Sequence, residues 1–241
     1  MAFLCASRTH VGLRRSLNED AVLAQPDRGL FVVADGMGGH EAGEVASAAI
    51  VEALAGLPRA SADAMTEGAL RRLQTVNAQL RHLAQDSEQP RTIGSTVVGL
   101  ALDLGRFACF WAGDSRAYRL RHGRLLQLTR DHSLVQELVD AGMLDAASAA
   151  GHPNANIVTR AVGAGASLDL DSIAGEVRPG DRFLLCSDGL TRHVDDEELE
   201  MRLQDDLPEA VADRLLGAVL SRGAHDNVSL IVVEVVSSDS T

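Results

Sequence analysis

Two segments, FVVADG at residues 31–36 and FLLCSDG at residues 183–189, each carry an apolar run that stops at Asp-Gly. Such runs read as buried strands, so Asp35 and Asp188 are delivered to the rim of a sheet, each before a glycine that lets the backbone bend sharply. Asp226 opens a third apolar run in HDNV at 225–228, and Asp20 closes NED at 18–20, just before AVLA at 21–24. Any one of these is also an ordinary turn aspartate. Taken together, four carboxylates at strand ends can converge on one rim, where two unit charges about 4 Å apart repel by about 4 kcal/mol at an effective dielectric of about 20. A bound cation removes that penalty. No Cys-x-x-Cys or His-Glu-x-x-His spacing points to zinc, and an all-oxygen set favours Mg²⁺ or Mn²⁺. An aspartate bridging two such ions roughly 3.5–4 Å apart turns the water between them into a hydroxide-like nucleophile near neutral pH, which suits phosphate-ester hydrolysis.

The elements that must position these groups follow from the apolar periodicity. Residues 29–34 read as a buried strand. Residues 41–54 read as a helix through Val45, Ala49, Ile50 and Leu54, and 61–85 as a second one through Met65, Leu70, Leu73, Val76, Leu80 and Leu83. The period then becomes two. Strands at 96–102, 107–111, 116–120 and 125–128 are joined at Leu104-Gly105, Gly113-Asp114-Ser115 and His122-Gly123, the pattern of a hairpin meander. Residues 133–150 turn helical, and strands at 173–177, 182–187 and 227–236 are separated by helices near 195–203 and 208–220. Strands outnumber helices and adjoin one another, so the expectation is an α+β fold of antiparallel sheets covered by helices, and not a parallel βαβ fold.

With 241 residues and 46% hydrophobic content, the chain can fill the core of a single domain over residues 1–241. Aromatics at 3% make that core aliphatic. A formal charge of -12 argues against a nucleic-acid partner, which Lys and Arg would have to hold. Cys5, Cys109 and Cys186 have no paired spacing and read as reduced thiols. The N-terminus lacks a basic start and a long apolar stretch, and no run reaches the length of a membrane span, so the expected location is the cytoplasm.

These residues also resemble a family. RSLNED (15–20), VVADGMGGHEAGEVAS (32–47), GST (94–96), WAGDSRAY (111–118), NIVTRAVG (156–163), LLCSDGL (184–190) and HDNVSLIVV (225–233) are similar, in order, to the motif series of bacterial PPM-type (protein phosphatase 2C) Ser/Thr phosphatases. The resemblance implies a four-layer αββα sandwich that removes phosphate from phosphoserine and phosphothreonine in other proteins, with two Mn²⁺ or Mg²⁺ ions per site. It implies that Asp35 bridges the two ions with the Gly36 carbonyl on one of them. Asp188 and Asp226 then complete the second ion's site, Asp20 holds an ion's water, and Glu19 supports the first ion through water. Arg15 grips the substrate phosphate as a planar fork. Asp114 resembles the ligand of a third, weaker ion. Phosphorylated proteins are the implied partners of a monomeric enzyme that opposes a bacterial Ser/Thr kinase, in growth regulation or in secretion-system control. Eukaryotic members carry a His after Asp-Gly that protonates the leaving group; here stands Met37, which has no proton to give. His40 reads as a helix-start residue. Residues 131–155 lie where the family has a mobile flap, and their Ala/Gly-rich stretch suits a lid that shapes substrate access.

Three rival readings compete with this one. CSDGLTR, residues 186–192, matches the Cys-x₅-Arg spacing of thiolate phosphatases, yet Asp188 would sit inside the loop that cradles a dianion, and Leu185 stands where that class has His. The glycines between Gly36 and Gly43 invite a nucleotide loop, but Glu41 breaks the fingerprint and no Gly-Lys-Ser/Thr occurs. A catalytically silent phosphoprotein-binding module would be expected to have lost ligands, whereas Asp35, Asp188 and Asp226 are all present.

Overall fold

Apolar runs without polar alternation arise when a strand is covered on both faces, and the computed structural model, which describes residues 1–38, 42–86, 92–149, 151–204 and 206–237, has two such sheets. The chain begins with β1 (Ala2–His10), β2 (Asp20–Gln25), β3 (Leu30–Met37), α1 (Ala42–Ala55), α2 (Ala62–Gln85), β4 (Gly94–Ser95), β5 (Val97–Leu102) and β6 (Arg106–Ala112). It continues through β7 (Arg116–Arg121), β8 (Arg124–Gln127), α3 (Leu134–Asp140), α4 (Ala146–Ala149) and β9 (Asp171–Glu176). The last elements are β10 (Arg182–Cys186), α5 (Asp188–Thr191), α6 (Asp196–Arg202), α7 (Pro208–Ser221) and β11 (Val228–Val236).

One sheet runs β1-β11-β10-β7-β8 and the other β2-β3-β5-β6-β9, with β4 beside β3. All pairings are antiparallel. Three buried clusters separate four layers. Val32, Ala34, Ile50, Leu73 and Phe110 join one sheet to α1 and α2. Leu184, Cys186, Leu215, Val219 and Leu230 join the other to the C-terminal helices. Phe31, Val33, Val98, Phe183 and Ile231 fill the space between the sheets, where the Phe107 and Phe183 rings meet at 5.4 Å. Neighbours such as Val32 and Val33 therefore feed different layers, as strand geometry requires. This is the expected sandwich. No helix among the described residues is long and apolar enough to cross a membrane.

Three expectations need correction. β6 and β7 do not form a hairpin: β6 pairs β5 and β9, while β7 pairs β8 and β10, so the Gly113-Asp114-Ser115 connection crosses from one sheet to the other. Gly113 makes the crossing with φ +117, and a Cβ there would meet the Thr96 side chain at 2.5 Å. The helix expected over 133–150 stops at Asp140, because Gly142 takes φ +69 and the Met143 and Gly142 amides bond back to Leu138 and Val139, a Schellman termination. β1 was not anticipated. It pairs with β11 along its whole length, and because AFLCA at 2–6 is apolar at exposed and half-buried positions alike, no period of two marks it in the sequence.

Gly99 on β5 has no room for a side chain, since a Cβ would lie 2.1 Å from the Phe110 ring. Gly99→Ala is expected to destabilise the fold by about 1–3 kcal/mol through displacement of that ring, read as a lower urea midpoint at unchanged m. Gly105, with nothing within 4 Å of the same atom, serves as the control and should change stability by less than about 0.5 kcal/mol when made Ala.

Candidate metal centre

The stripe that faces the other sheet changes character at one end of the sandwich. Phe31 and Val33 lead to Asp35, and opposite them Ala24 and Val22 lead to Asp20, in direct register with Asp35. Leu100 and Val98 lead in the same period to Thr96, and Val233 and Ile231 to Ser229. The core between the sheets thus runs without a break into a polar chamber. Asp114 arrives on the crossing turn, Asp188 on the first residue of α5, and Asp226 just before β11. Arg15, Glu19, Asp35, Asp114, Asp188 and Asp226 line one cavity of about 280 Å³, with Gly36 and Met37 in its wall. Asp20 lies behind that wall, 9% exposed.

A frame of hydrogen bonds fixes these carboxylates. Thr96 brackets Asp35: its Oγ1 accepts the Asp35 amide at 3.2 Å, its own amide donates to the Asp35 carbonyl at 2.9 Å, and its hydroxyl pairs with Ser115 at 2.7 Å. Ser187 donates to Asp20 Oδ2 at 2.9 Å and accepts the Ser229 amide at 3.0 Å. Asn227 spends its whole amide on the loop that carries Arg15 and Glu19, accepting the Glu19 amide at 2.8 Å and donating to the Val11 and Leu17 carbonyls at 2.8 and 2.9 Å. His132 accepts the Gly113 amide at 3.2 Å and faces Asp171 at 3.1 Å, steadying the turn before Asp114. None of these roles was read from the sequence. The available signal was that Thr96, Ser187 and Asn227 each lie within two residues of a strand end, where the apolar period fails.

The glycines of the two Asp-Gly pairs act differently from expectation. Neither has a left-handed φ. They permit close approach instead: a Cβ on Gly36 would lie 2.1 Å from the Gly43 carbonyl oxygen, and one on Gly189 would lie 1.9 Å from that of Asn227. Gly43 in turn leaves space for the Glu19 carboxylate, whose Oε1 would be 2.4 Å from a Cβ there.

Burial raises the Asp35 carboxyl well above the usual carboxylate range, and the charges of Asp20, Asp188, Asp114 and Asp226 add to it. Burial also raises Asp20 to about 7, with Asp188 and Asp226 adding and the Ser229 and Ser187 hydroxyls opposing. Asp114 is pushed to about 7, first by burial and then by Asp188 and Asp131, with Arg192 opposing. Asp188 is raised by burial, while Arg192 offsets part of the effect. Four acids that each resist ionisation beside the others are the electrostatic mark of a cation site.

Among the described residues, no three acidic, His or Cys side chains are gathered around one point as ligands would be. The reason is local. Asp188 is turned onto Arg192, and Asp226 onto Arg15 at 2.9 Å and Arg192 at 3.6 Å. Glu19 Oε1 and Asp20 Oδ1 are nonetheless buried without a hydrogen-bond partner. An unpartnered buried carboxylate oxygen is costly, and a hard cation on this all-oxygen donor set would relieve it. The residues fit two divalent ions of the Mn²⁺ or Mg²⁺ type.

Cys186 does not belong to the cavity. It is fully buried towards the C-terminal helices, and burial pushes its thiol up to about 12, which removes the thiolate the Cys-x₅-Arg reading needs. His40 and Glu41 lie outside the described residues. Of the flap segment, α3 and α4 border a second cavity of about 510 Å³ that shares Asp114, Asn156, Asp188 and Arg192 with the first.

Known proteins share the fold and the family of this chain. A family model described as protein phosphatase 2C matches residues 9–223. Serine/threonine protein phosphatase PstP of Mycobacterium tuberculosis is 39% identical over 97% of this chain, which spans 45% of that protein's length. The solved catalytic domain of PstP in complex with two manganese ions is 36% identical, with a TM-score of 0.86 over 98% of this chain and 99% of that one. PppA of Pseudomonas aeruginosa, a key regulatory component of its T6SS, is 46% identical, with a TM-score of 0.89 over 97% and 98% of the two chains.

The charge frustration can be measured on the folded protein alone. The Asp114 carboxyl is raised from 3.8 to about 7, so its burden is absent below pH 4, grows as pH rises and is complete above pH 7. In EDTA, Asp114→Asn is expected to raise Tm by roughly 5 °C near pH 8 and by nothing near pH 4; an unchanged Tm at both would contradict the burial of a charged group here.

Proposed function

This chain belongs to the protein phosphatase 2C family, and from that premise we propose that it is a protein serine/threonine phosphatase that hydrolyses phosphoserine and phosphothreonine in other proteins. The observation that carries the reading is the chamber itself: buried and half-buried carboxylates gathered at the ends of both sheets, mutually repelling, beside a half-exposed guanidinium on Arg15. Asp35, the Gly36 carbonyl, Asp188 and Asp226, with Asp20, Glu19 and Asp114 around them, would hold two Mn²⁺ or Mg²⁺ ions and a weaker third. Ions of this kind supply charge neutralisation on the phosphoryl oxygens and a lowered pKa for the attacking water.

The chain's own residues do the rest. Arg15 offers a planar fork to two phosphoryl oxygens. Thr96 and the strand register hold Asp35 fixed, so no reorganisation is needed when charge develops. Met37, in the cavity wall, has no proton for the leaving seryl or threonyl oxygen. The half-exposed helices α3 and α4 border the approach to the cavity and shape substrate access there. A bacterial Ser/Thr kinase is the opposing activity, and the likeness to PppA favours secretion-system control over growth regulation as its setting.

The test is hydrolysis of p-nitrophenyl phosphate and of a phosphothreonine peptide with Mn²⁺, with EDTA and after thiol alkylation. Activity that needs Mn²⁺, vanishes in EDTA and survives alkylation is expected. Asp35→Asn should abolish it, and Arg15→Ala should raise KM about tenfold with less effect on kcat. Binding of the phosphopeptide without turnover under every condition would replace the enzyme by a recognition module.

A further inference from the structure

The chamber contains a second guanidinium that the roles above leave unused. Arg192 follows α5, four residues after Asp188, and is the far end of the Cys-x₅-Arg spacing whose cysteine is buried elsewhere. Its Nη2 ion-pairs with Asp188 Oδ2, and its Nη1 lies 3.6 Å from Asp226 Oδ2. Arg15 holds the same Asp226 carboxylate, Nε on Oδ1 at 2.9 Å and Nη2 on Oδ2 at 3.0 Å. One planar oxyanion thus sits between two guanidinium forks. Both side chains keep access to solvent, 51% for Arg15 and 36% for Arg192, so neither is spent on the core. Of these two cavities Arg15 lines the carboxylate one, whereas Arg192 lines both it and the adjoining one beneath α3 and α4.

A phosphate monoester brings close to two negative charges into a chamber walled by aspartates. One arginine on one side of it balances only part of that charge. Arg15 grips Asp226 with a fork, and a nitrogen of Arg192 stands 3.6 Å from the same carboxylate on its other side, so a phosphoryl group in the chamber comes within reach of both guanidiniums.

Resting on the phosphatase reading, we propose that Arg192 is a second phosphate-binding residue, which grips the phosphoryl group from the side of the cavity beneath α3 and α4 while Arg15 grips it from the loop before β2. The competing description is that Arg192 is only a counter-ion to Asp188 and Asp226.

Arg192→Gln and Arg192→Lys separate the two. In the Mn²⁺-loaded protein, Arg192→Gln is expected to raise the competitive Ki of inorganic phosphate, and the KM of a phosphothreonine peptide, about tenfold, the size of one lost charge-assisted contact. Arg192→Lys, which keeps the charge and loses the fork, should fall between. The rise in Tm that inorganic phosphate gives the wild type should shrink in Arg192→Gln, with native circular dichroism retained. A phosphate Ki and Tm response equal to wild type, with tighter Mn²⁺ binding in calorimetry, would make Arg192 a counter-ion and overturn the proposal. The Tm response needs no turnover, so a wild type that binds phosphate but hydrolyses nothing would sink the phosphatase reading and leave this one standing.

Discussion

Asp20 and Asp35 stand directly opposite each other across β2 and β3, in a position where like charges are unfavourable. Every other feature of the site answers to that pairing. Water dilutes the repulsion only in part, because Asp20 is nearly buried and Asp35 is half-buried in the cavity wall. The fold instead holds the pair by brute register: β3 is fixed between β2 and β5, and packed aliphatic residues fill both of its faces. Thr96 locks the Asp35 backbone on both sides, and Ser187 reaches from the other sheet to one oxygen of Asp20. Where hydroxyls run out, guanidiniums take over, with Arg15 and Arg192 on Asp226 and Arg192 on Asp188. Stability is given up locally so that charge stays concentrated, a trade expected where a chain has chemistry to perform.

Much of this was legible beforehand because the strands are buried on both faces and end abruptly. FVVADG and FLLCSDG each announce a strand by an unbroken apolar run and a site by its interruption. The layered architecture followed from the count and adjacency of such runs. β1 was illegible for another reason: its apolar run, AFLCA, gives way to polar SRTH at 7–10 with no turn signal between them, and what defines the strand is nine residues of pairing with β11, a partner more than two hundred residues away. The β6–β7 connection misled because Gly-Asp-Ser is good hairpin chemistry; which sheet a following strand joins is decided by packing, which a local turn signal does not carry.

The site shows the same division. Residue types that only carbonyl-rich or carboxyl-rich chemistry requires, such as Asp35 and Asp188, stood out. Asn227 did not, since its value lies in three contacts to a loop that is remote in sequence. The glycines were identified correctly and explained wrongly. Sequence suggests backbone freedom for a glycine, while Gly36 and Gly189 are required by neighbours at 2.1 and 1.9 Å, a reason that exists only in three dimensions. Arg192 was noticed only as part of a spacing that Cys186 invalidates, and its position beside Asp188 emerges from one turn of α5.

The donors come from both halves of the sandwich. Asp20 and Asp35 belong to the sheet built around β3, while Asp188 and Asp226 belong to the sheet built around β10 and β11, and Asp114 rides the strap between them. A cation joining these carboxylates, as proposed, would therefore also clamp one sheet to the other at an open end of the core. For a sandwich to come apart, its two sheets must separate, so the clamp acts on the rate of opening as well as on its equilibrium. The lifetime of the closed sandwich would then be tied to the residence time of the bridge, and the same contact that would serve chemistry would act as the latch of the molecule.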